Sequence, residues 1–306
     1  MSNHVGPAGA QGRFQGADRV IKTGFWINAV LMIMKLSAGY YGKSEAVFAD
    51  GIESACDFVA ITATLIAVRM GRQPLDGRHP YGHGKAESIS AIFVSLIIFI
   101  SGAGILAQAA GTILEGKPES PSILAVLAAF VTIVVKEWLY RITRATGDRV
   151  GSPAVQALAG DHRKDAITSI ATLAGVSGAY FGLGIMDPLA AGLTALFIFH
   201  MGFKVFRSAA HDLMDGRPPE ELISAIVALS EDVDGVEHVH QIRARRYGRY
   251  LIIDLKLDMD PSLTVKTSHD IATEVKKRIF GKFSNVGDVM IHINPHNEQH
   301  TDMTRL

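Results

Sequence analysis

The sequence predicts an all-α membrane domain of six helices followed by a small α+β domain of order α-β-β-α-β. Two observations carry this: six long apolar stretches crowd the first two thirds of the chain, and alternating strand patterns begin only beyond about residue 211. Of the 306 residues 48% are hydrophobic and 20% charged, and 30 Lys+Arg balance 30 Asp+Glu. That balance argues against a general nucleic-acid binder and the long apolar runs argue for a membrane protein. The single cysteine, Cys56, excludes an intramolecular disulfide and a Cys-cluster metal site.

Residues 1–19, "MSNHVGPAGAQGRFQGADR", are Gly- and Ala-rich with no hydrophobic core segment, and read as a flexible cytoplasmic N-terminus rather than a cleavable signal. A bilayer core takes roughly 20 apolar residues per helix, and six stretches fit, near 20–41, 44–70, 87–114, 120–143, 153–181 and 187–206. Together they predict a membrane domain over 20–210. Basic residues gather before span one, between spans two and three, after span four and after span six, whereas the opposite loops hold Lys43 and Lys117. By the positive-inside tendency both termini face the cytoplasm, and the cell inner membrane is the expected location.

Residues 211–306 read as a cytoplasmic tail. "PPEELISAIVALSEDV" suits an amphipathic helix and "VEHVHQIRARRYGRYLIIDLKLDMD" two strands turning at Tyr247-Gly248. "TVKTSHDIATEVKKRIFGKF" suits a second helix and "VGDVMIHINP" a third strand, which places helices on one face of a short sheet.

Acidic residues inside the spans carry the functional signal. On a helix Asp50, Glu53 and Asp57 share one side, and the last two fall roughly mid-bilayer in span two. In span five the apolar run after Asp165 has only 16 residues, about 24 Å of helix against a core of about 30 Å, so the span must reach back through Asp161 and Asp165. Ser152-Pro153 supplies its expected start, an N-cap followed by proline. Two spans thus each bear an i, i+4 acidic pair, Glu53 with Asp57 and Asp161 with Asp165. A carboxylate in the bilayer costs at least about 3 kcal/mol, so four call for a compensating cation or protons. A bound divalent metal is one answer; pairing with basic side chains, Arg163 and Lys164 being near, is the other. Four carboxylates form a hard oxygen site suited to Mn²⁺ or Fe²⁺ more than to Zn²⁺ or Cu⁺. His162 sits about 100° around the helix from Asp161 and reads as a neighbour.

At this point the chain resembles the cation diffusion facilitators, from about Ile21 to Pro295. The likeness lies in "SEAVFADGIESACD", "PLDGRHPYGHGKAES", "SPAVQALAGDHRKDA", "LMDGRPP" and "VDGVEHVHQIRAR", in order. The resemblance implies a homodimer of six-helix subunits with a ferredoxin-like cytoplasmic domain, exporting divalent metal by alternating access in exchange for protons, with no cofactor and no enzymatic activity. It implies a transport site of Glu53, Asp57, Asp161 and Asp165. Zinc-transporting members usually have His in one or both pairs; Glu53 and Asp161 stand where that His is common, which is similar to the manganese and iron branches, magnetosome types included.

The same resemblance assigns Asp76, His79 and His83 to a loop-borne metal site, for which two imidazoles and an acid also suit Zn²⁺. The alternative is a tight turn capped by the histidines; His-Pro-Tyr-Gly-His argues against a hydrolytic H-E-x-x-H helix, since it lacks the general-base Glu. In the tail the resemblance implies His240, Asp254, His269 and His292 as a reduced metal site, since Lys256 and Asn294 stand where some members have ligands; surface histidines of a dimer interface are the alternative. It also pairs Lys85 with Asp215 as a charge lock. Three further readings stay open here: a zinc, cobalt or cadmium exporter of the same family, a non-transporting metal-sensing scaffold, and a membrane metallohydrolase.

Overall fold

The computed structural model describes residues 7–296 apart from 74 and 117, with side chains described from Ala17 onward. Six long helices come first: α1 Pro7–Tyr41, α2 Glu45–Gly71, α3 Ala86–Glu115, α4 Ile123–Val150, α5 Pro153–Tyr180 and α6 Met186–Leu213. Among the described residues five of these, all but α5, are long and apolar enough to cross a membrane. α5 spans 28 residues, about 42 Å of helix, and misses only because its first half carries Asp161, Arg163, Lys164 and Asp165.

The helix ends follow local chemistry. Ser152 caps α5, its Oγ accepting from Val155 N–H, and Pro153 occupies the first turn as its sequence implies. α4 closes on Gly151 at φ +67°, a left-handed position open to glycine, with the Gly151 N–H donating to Gly147 C=O. α1 begins at Pro7 rather than near 20, α4 runs on to Val150 and α6 to Leu213. These extensions are polar and basic, so an apolar count stops short of them while the backbone hydrogen bonding continues.

The chain divides into two compact units. The first combines residues 1–62 with 94–204; the second combines 63–93 with 205–306. In the first unit, buried Ala38, Val47, Ala125, Ala128, Ala129 and Val176 join α1, α2, α4 and α5 through small side chains. Such residues let backbones approach closely where lipid supplies no hydrophobic drive between helices.

In the second unit α7 (Glu220–Glu231), β1 (His238–Tyr247), β2 (Tyr250–Met259), α8 (Val265–Lys282) and β3 (Val286–Pro295) reproduce the expected α-β-β-α-β order. The sheet runs β1-β2-β3; β1 and β2 are antiparallel across a two-residue turn with Gly248 at φ +59°, and β2 and β3 are parallel. Alternation along β2 buries Leu251, Ile253, Leu255, Leu257 and Met259 in one core with Ile223 and Ile226 of α7 and Val275 and Ile279 of α8. The even-numbered β2 side chains therefore stand on the opposite face, which decides where polar groups in the tail can meet.

Candidate metal centres

Gly51 brings α2 against α1 so closely that a Cβ there would lie 2.9 Å from the Leu36 backbone nitrogen. The neighbouring side chains meet at that crossing. Lys35 Nζ donates to Asp50 Oδ1 at 2.9 Å, and Ser169 Oγ of α5 donates to Asp50 Oδ2 at 3.2 Å. Both members of this pair are buried, Lys35 at 2% and Asp50 at 4% exposure. Asp50 thus has its charge and both oxygens satisfied by the protein.

One helical turn on, Glu53 is buried and Asp57 half-buried on the same side of α2. Glu53 is within electrostatic range of Asp50, Asp57, Lys35 and Asp165, and Asp57 within range of Asp165, Lys164 and Lys136. On α5, Asp161 is exposed and Asp165 half-buried. Asp165 is the α5 carboxylate in electrostatic range of both α2 acids, yet its direct partner is Lys136 of α4, whose Nζ donates to Asp165 Oδ2 at 2.6 Å. No three of the four acids bring their oxygens within 4.8 Å of one another among the described residues.

The cations adjacent to these acids in sequence make their direct contacts with other groups, although Lys164 stays within electrostatic range of Asp57 and Asp161. Arg163 pairs with Glu137 of α4 and stacks on Tyr140, while Lys164 lies over the Phe197 ring. His162 is buried toward α1, where a Cβ on Gly24 would touch its Nε2. It packs in a helix contact while staying within electrostatic range of Lys136 and Asp165. Sequence reasoning missed Lys35 and Lys136, although the signal was there: each is an ionisable residue embedded in an apolar span, "MIMKLSAG" and "IVVKEWLY".

Between α2 and α3, Asp76, His79 and His83 bring their ligand atoms within 4.8 Å of one another, as the group of three or more such residues that converges among the described residues. Asp76 Oδ1 accepts from the backbone N–H of Arg78 at 2.8 Å and of His79 at 2.6 Å, a turn closed by its own side chain. These bonds, that from His79 foremost, hold the Asp76 carboxyl below its ordinary range, so it stays anionic. His79 Nδ1 lies 3.1 Å and His83 Nε2 3.5 Å from its oxygens, with the two rings 4.3 Å apart. An anion and two imidazoles on one side of a turn form a donor set that fits a divalent ion.

The loop is backed by the tail's β1–β2 hairpin. Tyr247 Oη donates to Gly82 C=O, and a Cβ on Gly84 would stand 2.6 Å from the Tyr247 ring, so glycine is required there. Gly82 itself is at φ +92°. Lys85 Nζ donates to Asp215 Oδ1 at 2.7 Å and to Asp212 C=O at 2.6 Å, and Arg245 approaches the other Asp215 oxygen at 3.4 Å. The Lys85 bond lowers the Asp215 carboxyl from its usual range. Asp215, at φ +56°, terminates α6 in a conformation few side chains adopt.

In the tail His240, Asp254, His269 and His292 do not converge. Asp254 faces Arg243 across the sheet and Met290 on the other side, whereas His292 is in register with Lys256. His269 is exposed on α8, in the helical layer on the far side of the sheet. Asp254 pairs with Arg243, three positions along β1 from His240, and the register shift between Val239 and Gln241 takes His240 out of the regular pairing. It leaves His240 Nδ1 3.8 Å from Asp258, which also accepts from Asn294 at 3.3 Å. His240 therefore meets Asp258 within one chain, not Asp254.

Long helices with acids and lysines at their centres, a loop on which Asp76, His79 and His83 converge and an appended α+β domain fit a multi-pass membrane transporter of metal ions. Residues 21–214 match the Cation efflux transmembrane domain and residues 218–296 the Cation efflux protein cytoplasmic domain. The chain belongs to this cation efflux, or cation diffusion facilitator, family, whose members are transporters, and its function is divalent metal cation efflux. It is 38% identical over 297 residues to the manganese efflux system protein MneP of Bacillus subtilis, covering 95% of this chain and 100% of that one. It is 31% identical over 279 residues to the magnetosome protein MamB of Magnetospirillum gryphiswaldense, covering 91% and 94%. A solved MamM CTD variant is 27% identical over 26% of this chain and 93% of that one, with a TM-score of 0.25.

Proposed function

We propose that the chain exports Mn²⁺ or Fe²⁺ as a homodimer, by alternating access across the cell inner membrane in exchange for protons, with both termini cytoplasmic. Residues 1–19, 20–210 and 211–306 act as N-terminal segment, transport domain and cytoplasmic domain. Glu53, Asp57, Asp161 and Asp165 form the transport site. The observation that carries this is the all-oxygen character of the two i, i+4 pairs on α2 and α5, with Asp165 in electrostatic range of all three other acids. The similarity to a protein named for manganese efflux supports the same choice of ion. Cargo enters when the carboxylates face the cytoplasm, and the exchange of metal for protons keeps the intramembrane charge from standing uncompensated.

Asp76, His79 and His83 form a second, non-transporting site on the loop, where metal would hold the turn together. Lys85 and Asp215 lock the end of α6 to the start of α3. In the tail, His240 with Asp258 is the pair from which a weak regulatory site would be built, His292 or a second subunit supplying what one chain lacks. The deciding experiment is flux into reconstituted vesicles with Mn²⁺, Fe²⁺, Zn²⁺, Co²⁺ and Cd²⁺ under an imposed proton gradient. Mn²⁺ or Fe²⁺ flux that collapses in Asp57→Ala and Asp165→Ala is expected. Unchanged flux in either folded variant overturns the site, and absence of flux with every ion overturns transport in favour of a sensing scaffold.

A further inference from the structure

Among the described residues two lysines are buried in the first unit, and they hold their aspartates differently. Lys35 and Asp50 are sealed together, side chains 2% and 6% exposed, with Ser169 satisfying the remaining oxygen. Lys136 is almost as deeply buried, but the Asp165 side chain it holds is 27% exposed, and only one Asp165 oxygen is engaged by it. Lys136 also lies within electrostatic range of Asp57 and Asp161. Its ammonium thus stands among carboxylates from both helices that bear the proposed cargo ligands.

We infer that Lys136 is a tethered competitor for the cargo: its ammonium occupies Asp165 between loads, yields that oxygen when a divalent ion arrives, and so weakens binding enough to permit release. The inference rests on the reading of Asp165 as a cargo ligand. Its physical content is a charge balance. A divalent ion at the four acids meets a fixed positive charge within a few ångströms, in a medium where charges are poorly screened. The ion must also displace a charge-assisted hydrogen bond before it can coordinate Asp165. Lys136 needs no distant partner when displaced, because Asp161 lies one turn earlier on the same face of α5 and a carboxylate that gives one oxygen to the ion keeps a second for the ammonium. The lysine stem of four methylenes is long enough to transfer the ammonium between the two while its root in α4 stays still. Lys35 is also within electrostatic range of Glu53 and Asp57, but the acid it holds is itself buried and has its second oxygen taken by Ser169, so that pair acts as structure.

The test uses the full-length protein carrying His79→Ala and His83→Ala, so that the loop contributes no binding heat, with Mn²⁺ as the probe. Lys136→Gln should lower the Kd by about tenfold or more, and should lower KM and kcat together, because an ion bound more tightly leaves more slowly. Lys136→Arg, which keeps the charge, should restore the Kd to within about threefold of its parent. Mn²⁺ should also raise the Tm of Lys136→Gln by more than it raises the parent's, a readout that survives if the variant is less stable without metal. Asp165→Ala is the companion measurement. If it abolishes binding while Lys136→Gln binds no more tightly and gains no larger Tm rise, Lys136 is a structural partner and the inference fails with the site intact. If Asp165→Ala binds as its parent does, the site itself is misassigned.

Discussion

The pairs Lys35–Asp50 and Lys136–Asp165 have the same chemistry and nearly the same length, 2.9 and 2.6 Å, but opposite surroundings. The first is closed by a third helix and the second is left open on its carboxylate. In low dielectric the value of an ion pair depends on what else satisfies its atoms, so equal partners can serve a lock in one place and an exchangeable contact in another. Burial of the acid, and not the presence of a salt bridge, separates the two roles.

The sharpest way to break the comparison is to remove each acid in turn. Asp165→Ala and Asp57→Ala should reduce flux to background in vesicles while the protein remains dimeric by size-exclusion chromatography, because a ligand is lost from a partly open site. Asp50→Ala should instead cost about 3–5 kcal/mol by stranding buried Lys35, seen as a large fall in Tm and in the yield of folded protein. Replacing both members by Lys35→Met and Asp50→Leu should recover most of that stability. A site in which Asp50 bound the cargo would lose flux in the double variant even when folded.

A second test asks what the open acids select. Glu53→His or Asp161→His adds a borderline nitrogen ligand and removes a negative charge, and should shift competition toward Zn²⁺ over Mn²⁺ by about tenfold, roughly 1.4 kcal/mol. An unchanged metal order in a variant that still transports would place selectivity elsewhere.

Smaller effects belong to the second unit. Replacing His240, His269 and His292 together by Ala should lower flux only partly and raise the metal concentration for half-maximal transport. Asp258→Asn should reproduce that shift and Asp254→Asn should not, since His240 meets Asp258. Equal effects of the two asparagine variants would show that dimer geometry, and not the β1 irregularity, decides the site.

The smallest expected effect is at the charge lock. Asp215 is held below its ordinary range by Lys85, so the stability it contributes is present above the unfolded carboxylate range and is lost only as pH falls through its lowered folded value. Asp215→Asn should therefore lower Tm by a constant small amount from about pH 5 to pH 8 and flatten the melting profile only on the acid side. A difference that grows between pH 6 and pH 8 would mean that another group titrates with the lock.

Much of this was readable before any coordinates. The apolar runs located all six long helices, Ser152-Pro153 located the start of α5, and strand alternation gave β2 its buried face. The paired acids stood out because period and spacing act locally along one helix. What could not be read depends on how helices are rotated against one another. Lys35 and Lys136 were visible as charges inside spans, but which acid each meets follows from close approaches such as that at Gly51. His240 meets Asp258 because one irregular step in β1 takes it out of the regular alternation, and nothing in the sequence pattern announces that step.

The Tyr247–Gly82 contact has a consequence in time. Its two residues are 165 positions apart and the Lys85–Asp215 pair 130, so the α2–α3 loop leaves the ribosome long before the side chains that brace it. At about 5–20 residues per second the delay is roughly 10–30 s. During that interval Lys85, Gly82 and Gly84 have no tail to rest on, and the second unit closes only when the last third of the chain has been made. A chain cut short after α6 would reach the membrane with its helices inserted and the loop of Asp76, His79 and His83 unsupported.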